Sequence, residues 1–563
     1  MRSLSLLAFI AVSSQASDSA RYLVQFRSPQ TAQQLATRLR GGARDLRVFP
    51  GIDARLLQVH RNLGMAEVVA TASQARALAA RPDVAYVEQE FFVALPPEFR
   101  SHRTQAAVSD TAFQDQGEIT WGLQAVRAPQ AWDLPNRNTI AGRGARVLVL
   151  DTGIDRQHSD LSSRFEKGRN FYFAQNLQNE AAAALPRLMA SVAAALAPPP
   201  SFDNHFEDAH GHGTHVSGTI AGAYNRSGVA GVAPQARLLM GKVCGDEGCT
   251  SIGIIRGIEW GISEGVDVIN MSLGGGMPSQ AARDAVARAD AAGVVVVSAS
   301  GNDGSGQVSY PGAYENGMAV GAVDSSLSRA SFSQYGPELD VVGPGVDVRS
   351  SVPRGMGQVS QVLVGNREYK SETFRASAPL LAALRAPMAF AGLGTVAELQ
   401  ALSLSGRIAL ISRGEISFGE KASNAAAAGA IGVIIFNNAP GAISGTAAKA
   451  DGSDADLPVL GLSQADGEAL KTRLASNSSL VGQMGVLATD YDEYSGTSMA
   501  TPHVAGVAAL VAAANPRLSA PDIRALLAQT ATRLQATLPN EYGAGLVDAE
   551  AAVREALARR LRR

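Results

Sequence analysis

Arg146-Val-Leu-Val-Leu-Asp151-Thr-Gly-Ile-Asp155 reads as a strand that runs into a carboxylate and then a tight turn. Val147–Leu150 is uniformly apolar, the pattern of a strand covered on both faces. This first candidate spans Ala145–Leu150, and similar runs follow at Arg237–Val243, Val266–Met271, Val294–Ala299 and Met318–Val323. Helical patterns at Ile252–Ser263 and Gln280–Ala292 lie between them. Strands alternating with helices predict an α/β fold, with a mainly parallel sheet between helical layers. Functional side chains in such sheets gather at the carboxyl ends of the strands, and Asp151 directly follows one.

Two further segments carry chemistry. His212 lies in His210-Gly-His-Gly-Thr-His-Val-Ser-Gly218, and Ser498 in Ser495-Gly-Thr-Ser-Met-Ala-Thr-Pro-His-Val-Ala-Gly506. Each reads as a turn that opens a helix. A serine hydroxyl attacks a carbonyl only if a base takes its proton, and histidine suits that task near neutral pH. The histidine needs a carboxylate to hold its tautomer and stabilise the imidazolium. Ser498 at a helix start would also aim its own N–H at a developing oxyanion. Taken singly, Asp151 suits a turn cap, His212 a core position and Ser498 an N-cap. Their occurrence together, with long flanking patterns, favours the catalytic reading.

These three segments resemble the signature segments of the subtilisin-like peptidases (subtilases), in that family's order of Asp, then His, then Ser. The resemblance covers Trp121–Val352, without the alanine-rich stretch Glu180–Pro200, and Ser495–Glu555. It implies a three-layer subtilisin-like fold and a serine endopeptidase with Asp151, His212 and Ser498 as triad. Ser298-Ala-Ser-Gly-Asn302-Asp-Gly resembles the family's oxyanion segment, which makes Asn302 a side-chain donor. Ile269-Asn-Met-Ser-Leu-Gly-Gly275 resembles the strand that pairs with substrate, so Ser272, Leu273, Gly274 and Gly275 are expected to line the cleft. Ser309, in Val308-Ser-Tyr-Pro-Gly312, stands in the pocket floor where the best-known members have glycine, which argues against a very large residue before the scissile bond.

The flanking units carry resemblances of their own. Tyr22–Val93, with strand-like Tyr22–Phe26, helix-like Thr31–Arg40 and Ser73–Ala80, and the apolar run Val84–Val93, is similar to the inhibitor-like propeptide of subtilases. Residues 354–486 resemble a protease-associated domain, through Gly406–Gly414, Phe418–Lys421 and Ala428–Asn437, with Ile416 replacing a common cysteine. We therefore expect an export signal over 1–16 and a propeptide over 17–97. A linker with the maturation site follows over 98–120, then a catalytic domain over 121–555, interrupted by the inserted domain.

The export reading rests on Arg2, the short apolar stretch Leu4–Val12, and small Ser14 and Ala16 before a cut after Ala16. It implies release outside the cell or into a periplasm, and that stretch is too short to span a bilayer. An oxidising compartment favours a small loop disulfide between Cys244 and Cys249 over free thiols. The net charge of −2 gives no field that favours nucleic acid or an anionic membrane. The expected partners are protein and peptide substrates and the chain's own propeptide as intramolecular inhibitor. No nucleic acid, no membrane span and a monomer complete that expectation. The alanine-rich Glu180–Pro200 reads as a surface insertion, and Arg559–Arg563 as a solvated helix end.

Three other readings compete with this one. An esterase needs its acid and histidine after the serine, and only His503 follows Ser498. A metallohydrolase could draw on His205, His210, His212, His215, Asp203 and Asp208, but further distant ligands are scarce. A catalytically dead binding protein would not need Asp151, His212, Asn302 and Ser498 together. No cofactor is expected for catalysis, and the metal ligands are unknown. Structural calcium, with aspartates such as Asp160, is left open.

Overall fold

The computed structural model describes residues 19–40, 49–61, 63–93, 99–100, 118–134, 141–172, 205–245, 247–374, 376–380, 382–440, 443 and 445–562. The expected export signal (1–16), most of the linker and the alanine-rich insertion lie outside them.

At the centre is a seven-stranded sheet in the order Val341–Pro344, Met318–Val323, Val295–Ala299, Val268–Met271, Arg146–Asp151, Arg237–Lys242, Phe165–Asn170. Every pairing in it is parallel. The inner strands are buried along both faces, which is why they read as unbroken apolar runs. Helix Thr497–Ala514 packs on one face, against the inner strands and helix His212–Ala221. Its mean hydropathy of 1.3 and 18 residues would suffice to cross a membrane, but the whole helix is buried inside the protein. Helices Ser251–Glu264 and Gln280–Ala291 cover the other face.

The amino-terminal unit is an antiparallel sheet in the order Arg55–His60, Met65–Thr71, Ser19–Phe26, Val84–Gln89, with helices Pro29–Arg40 and Ala72–Ala79. A reciprocal cap starts the second helix: Gln74 N–H donates to Thr71 Oγ1, and Thr71 N–H donates to Gln74 Oε1. The opposite face of this sheet packs on the central domain, where Leu23, Leu63 and Met65 share a core with Ile252, Ile255 and Ala285. Polar contacts ring that core. Glu88 accepts from Gln280 N–H at the start of its helix, and Tyr86 Oη donates to Asp284. His60 and Glu67 bond each other and reach Glu259 and Arg256 on the helix Ser251–Glu264.

The stretch expected to be a structureless linker contributes a short strand, Phe99–Arg100, which pairs antiparallel with Tyr494–Ser495. Apolar periodicity could not reveal a strand of two residues that depends on a distant edge. Residues Gly357–Thr489 form a closed barrel with its own cores and the helices Phe418–Ala427 and Gln464–Ser476. The closing strand, Val481–Thr489, runs past the expected end at Val486, and Gly357 pairs directly with Thr489. The barrel thus leaves and re-enters the parent domain at one point. The carboxyl-terminal helix Ala549–Leu561 ends with Arg559 on Glu555 and Arg560 donating to the Ala514 carbonyl.

Candidate active site

Asp151 is the last residue of its strand, and His212 opens the helix His212–Ala221. His212 Nδ1 donates to Asp151 Oδ1 at 2.6 Å, with both side chains fully buried. That approach depends on Gly213: a Cβ there would lie 2.2 Å from the Gly153 carbonyl oxygen. Thr152 N–H also donates to Asp151 Oδ1, at 2.7 Å, so the carboxylate is oriented by its own strand end.

Asp208, which the sequence reading met only as a metal candidate, frames this pair. Its Oδ1 accepts from Thr152 Oγ1 and from the N–H groups of His210 and Gly211. Its Oδ2 accepts from the N–H and hydroxyl of Thr214. Gly211 has no capping side chain, so Asp208 caps the helix from a distance and ties its start to the strand end that carries Asp151. Its spacing, four residues ahead of a helix-opening histidine, was the available signal.

Ser498 is the second residue of helix Thr497–Ala514 and is fully buried. Its hydroxyl donates to the Ser272 carbonyl at 3.0 Å, and Ser272 Oγ donates back to the Ser498 carbonyl at 2.8 Å. Asn302 flanks the same helix start. Its Oδ1 accepts from Thr497 N–H at 2.9 Å and Thr497 Oγ1 at 2.8 Å, which fixes the amide and directs Nδ2 the other way. A Cβ on Gly496 would lie 3.2 Å from that nitrogen, so glycine keeps the approach open.

The expected cleft residues come together around these groups. Gly275 N–H donates to Tyr310 O at 2.9 Å and Tyr310 N–H donates to Gly275 O at 2.8 Å, which sets Ser272-Leu273-Gly274-Gly275 beside Ser309. Ser309 Oγ donates to Gln334 Oε1 at 3.4 Å, so this hydroxyl belongs to a polar pair that the sequence reading did not include. Cys244 and Cys249 form a disulfide, with an S–S distance of 2.06 Å, in the hairpin Cys244–Gly245/Gly248–Thr250.

The histidine-rich segment does not assemble as a ligand set. His215 Nε2 donates to Val348 O at 2.8 Å, its ring stacks on Tyr494, and burial pushes its pKa down to about 3. Among the described residues no group of three His, Cys, Asp or Glu side chains is placed to hold a metal. The calcium candidate Asp160 is fully buried, and Oδ2 accepts from Val229 N–H and Ser351 Oγ. Burial also raises its pKa.

Comparison with known proteins agrees with this geometry. The model of the subtilase family matches residues 142–380, and that of the PA domain matches residues 369–470. M-protease of Shouchella clausii (strain KSM-K16) is 34% identical over 360 residues, 62% of this chain and 80% of that protein. Subtilisin Savinase of Lederbergia lenta is 43% identical over 236 residues, covering 42% of this chain and 75% of that protein. The crystal structure of the psychrophilic subtilisin-like protease Apa1 from the Antarctic psychrotroph Pseudoalteromonas sp. AS-11 superposes with a TM-score of 0.55 at 29% identity, covering 78% of this chain and 98% of that one. With a parallel sheet that carries an Asp–His pair and a helix-borne serine, and with relatives matched over most of their length, the chain belongs to the subtilase family: it is a subtilisin-like serine endopeptidase with an inserted PA domain.

Proposed function

We propose that the enzyme is a secreted zymogen which hydrolyses proteins through an acyl-enzyme on Ser498 and frees itself by cutting behind its amino-terminal unit. The observation that carries this reading is the path of the chain itself. Phe92–Val93 pairs antiparallel with Cys249–Thr250, and Phe99–Arg100 pairs with Tyr494–Ser495, three residues ahead of Ser498. Two extended pieces of the chain behind the amino-terminal unit thus add to sheet edges, one of them beside the serine, as a bound substrate would. The maturation cut lies between Val93 and Phe99, earlier than a site in the following linker.

In this mechanism Ser498 Oγ leaves the Ser272 carbonyl and attacks the scissile carbonyl carbon while His212 Nε2 takes its proton. Asp151 holds Nδ1–H and stabilises the imidazolium. The Ser498 N–H and Asn302 Nδ2 receive the oxyanion. The proton passes to the leaving amine, and water then hydrolyses the ester with His212 as base. These groups supply every step of acyl transfer without a cofactor. Ser272–Gly275 and Ser309 shape the cleft, and the barrel positions large substrates.

Ser498→Ala, expressed without other proteases, tests the reading by intact mass and amino-terminal sequencing. The variant is expected to keep residues 17–97 attached and folded. A variant that matures normally refutes self-processing. Failure of a fluorophosphonate to label Ser498 in the mature wild type refutes the nucleophile.

A further inference from the structure

The cystine at Cys244–Cys249 stabilises a very small element. Its hairpin consists of Cys244–Gly245 and Gly248–Thr250, with Cys244 directly opposite Cys249 and Gly245 opposite Gly248. Two-stranded hairpins of this size are marginal in water, and two glycines make this one harder to order. A sequence separation of 5 closes too short a loop to constrain the unfolded chain as a long crosslink would. The main effect of the crosslink is therefore local: it holds one short edge in register.

That edge receives the chain's own extended segment. Cys249 pairs with Val93 and Thr250 with Phe92, while Ser251 N–H donates to the Phe91 carbonyl at 2.9 Å. Opposite the hairpin, the Val93 side chain stands against Gly275, where a Cβ would meet Val93 Cγ1 at 3.7 Å. The segment thus lies between the cystine hairpin and the cleft segment Ser272–Gly275. Both cysteines are fully buried, and Thr250 continues into helix Ser251–Glu264, which it caps by accepting from Gly253 N–H at 2.9 Å. The hairpin is therefore held at its open end by both the cystine and the helix that follows Thr250.

We infer that the Cys244–Cys249 cystine is a positioning element for extended substrates: it preorganises the edge strand that pairs with residues several positions ahead of the cut bond, and so sets the enzyme's dependence on substrate length. The inference rests on the proposed role of Phe92–Val93 as a stand-in for substrate. A preformed edge avoids ordering its own backbone when substrate binds, so losing it weakens binding of chains long enough to reach it. A substrate with a single residue ahead of the cut bond cannot touch the hairpin.

The test compares mature wild type with Cys244→Ala/Cys249→Ala on two substrates, a blocked tetrapeptide anilide and a single-residue ester. The expected result is a fall of about tenfold in kcat/KM for the tetrapeptide, carried mainly by KM, with the ester unchanged. Equal loss on both substrates, or loss on neither, overturns the inference. Gly248→Ala provides a second variant that keeps both cysteines. Gly248 sits at φ +107°, so a side chain there distorts the hairpin, and the same length-selective loss is expected. A wild type that shows no preference for the tetrapeptide overturns the substrate reading of Phe92–Val93 itself. A length-sensitive wild type with an equally length-sensitive variant overturns only the role of the cystine.

Discussion

Ser272 and Ser498 are tied twice, each hydroxyl donating to the other residue's backbone carbonyl, at 2.8 and 3.0 Å. The pair links the end of an inner strand to the start of the helix that carries the nucleophile. Asn270 Nδ2 adds a third bond by donating to Ser272 Oγ at 3.0 Å.

Ser272→Ala leaves the Ser498 carbonyl and the Asn270 amide without that hydroxyl in a dry site. Each unmet buried group costs about 1–3 kcal/mol. We expect a lower melting temperature and a several-fold fall in kcat, with KM little changed, because the Ser498 backbone loses one of its two ties to Ser272 while the outer cleft is untouched. Calorimetry and steady-state kinetics check both. A variant with full kcat would show that the tie does not position Ser498.

Asn302 plays two parts that can be separated. Asn302→Ala removes both the oxyanion donor and the acceptor for Thr497, so kcat should fall by about 10²–10³, the magnitude known for the corresponding donor of subtilisin. Asn302→Asp keeps the acceptor for Thr497 but replaces the donor with oxygen. It should lose comparable kcat with less loss of stability. Near-normal kcat in either variant would show that the oxyanion is held elsewhere.

The buried contact between the amino-terminal unit and helix Ser251–Glu264 makes precursor stability depend on pH. Burial alone would lower the pKa of His60, but hydrogen bonds to Glu259 and Glu67 outweigh it and hold the pKa at about 9. An exposed imidazole titrates near about 6.5, so this contribution is complete below that value and is lost as pH rises through about 9. Burial would raise the pKa of Glu67, but Arg256 and His60 hold it at about 2. Its contribution is present above the usual carboxylate range, about 4.3, and is lost as pH falls through about 2. Arg21 and Glu90 face the same cluster. In a Ser498→Ala background, the melting temperature should fall from about pH 6 to 9, and His60→Gln should flatten that fall. An unaltered slope in the double variant would remove His60 from the account.

Replacing residues 357–489 with a short glycine–serine bridge should leave hydrolysis of small peptide anilides largely intact. Gly357 and Thr489 are register partners, so their backbones lie about 5 Å apart. Asp151, His212, Asn302 and Ser498 all lie outside the barrel. Cleavage of large proteins should fall. A folded variant without activity on small substrates would make the barrel part of the active site.

The inner strands and the three signature segments were legible because burial on both faces leaves an unbroken apolar run, and because each chemical group sits at the start or end of an element. The elements that the sequence concealed answer to contacts beyond their own residues. Phe165–Asn170 is an edge strand with polar side chains, and Met65–Thr71 buries Glu67 beneath Arg256. Asp208 reads as a ligand because most of its partners are backbone N–H groups, which every sequence contains. Gln334 reaches Ser309 from a distant loop, and no local pattern announces such a meeting.

The core that Leu23, Leu63 and Met65 share with Ile252, Ile255 and Ala285 has a consequence for the enzyme's lifetime. If the amino-terminal unit is cut and departs, it takes part of that core with it, and a face of two helices must meet water. Each Leu or Met side chain that leaves such a core forfeits about 1.5–3 kcal/mol of burial. The cut molecule would then be less stable than the intact chain. Its endurance is set by the height of the barrier to unfolding rather than by equilibrium. Such a protease would be a timed device, its working life fixed by how slowly it unfolds.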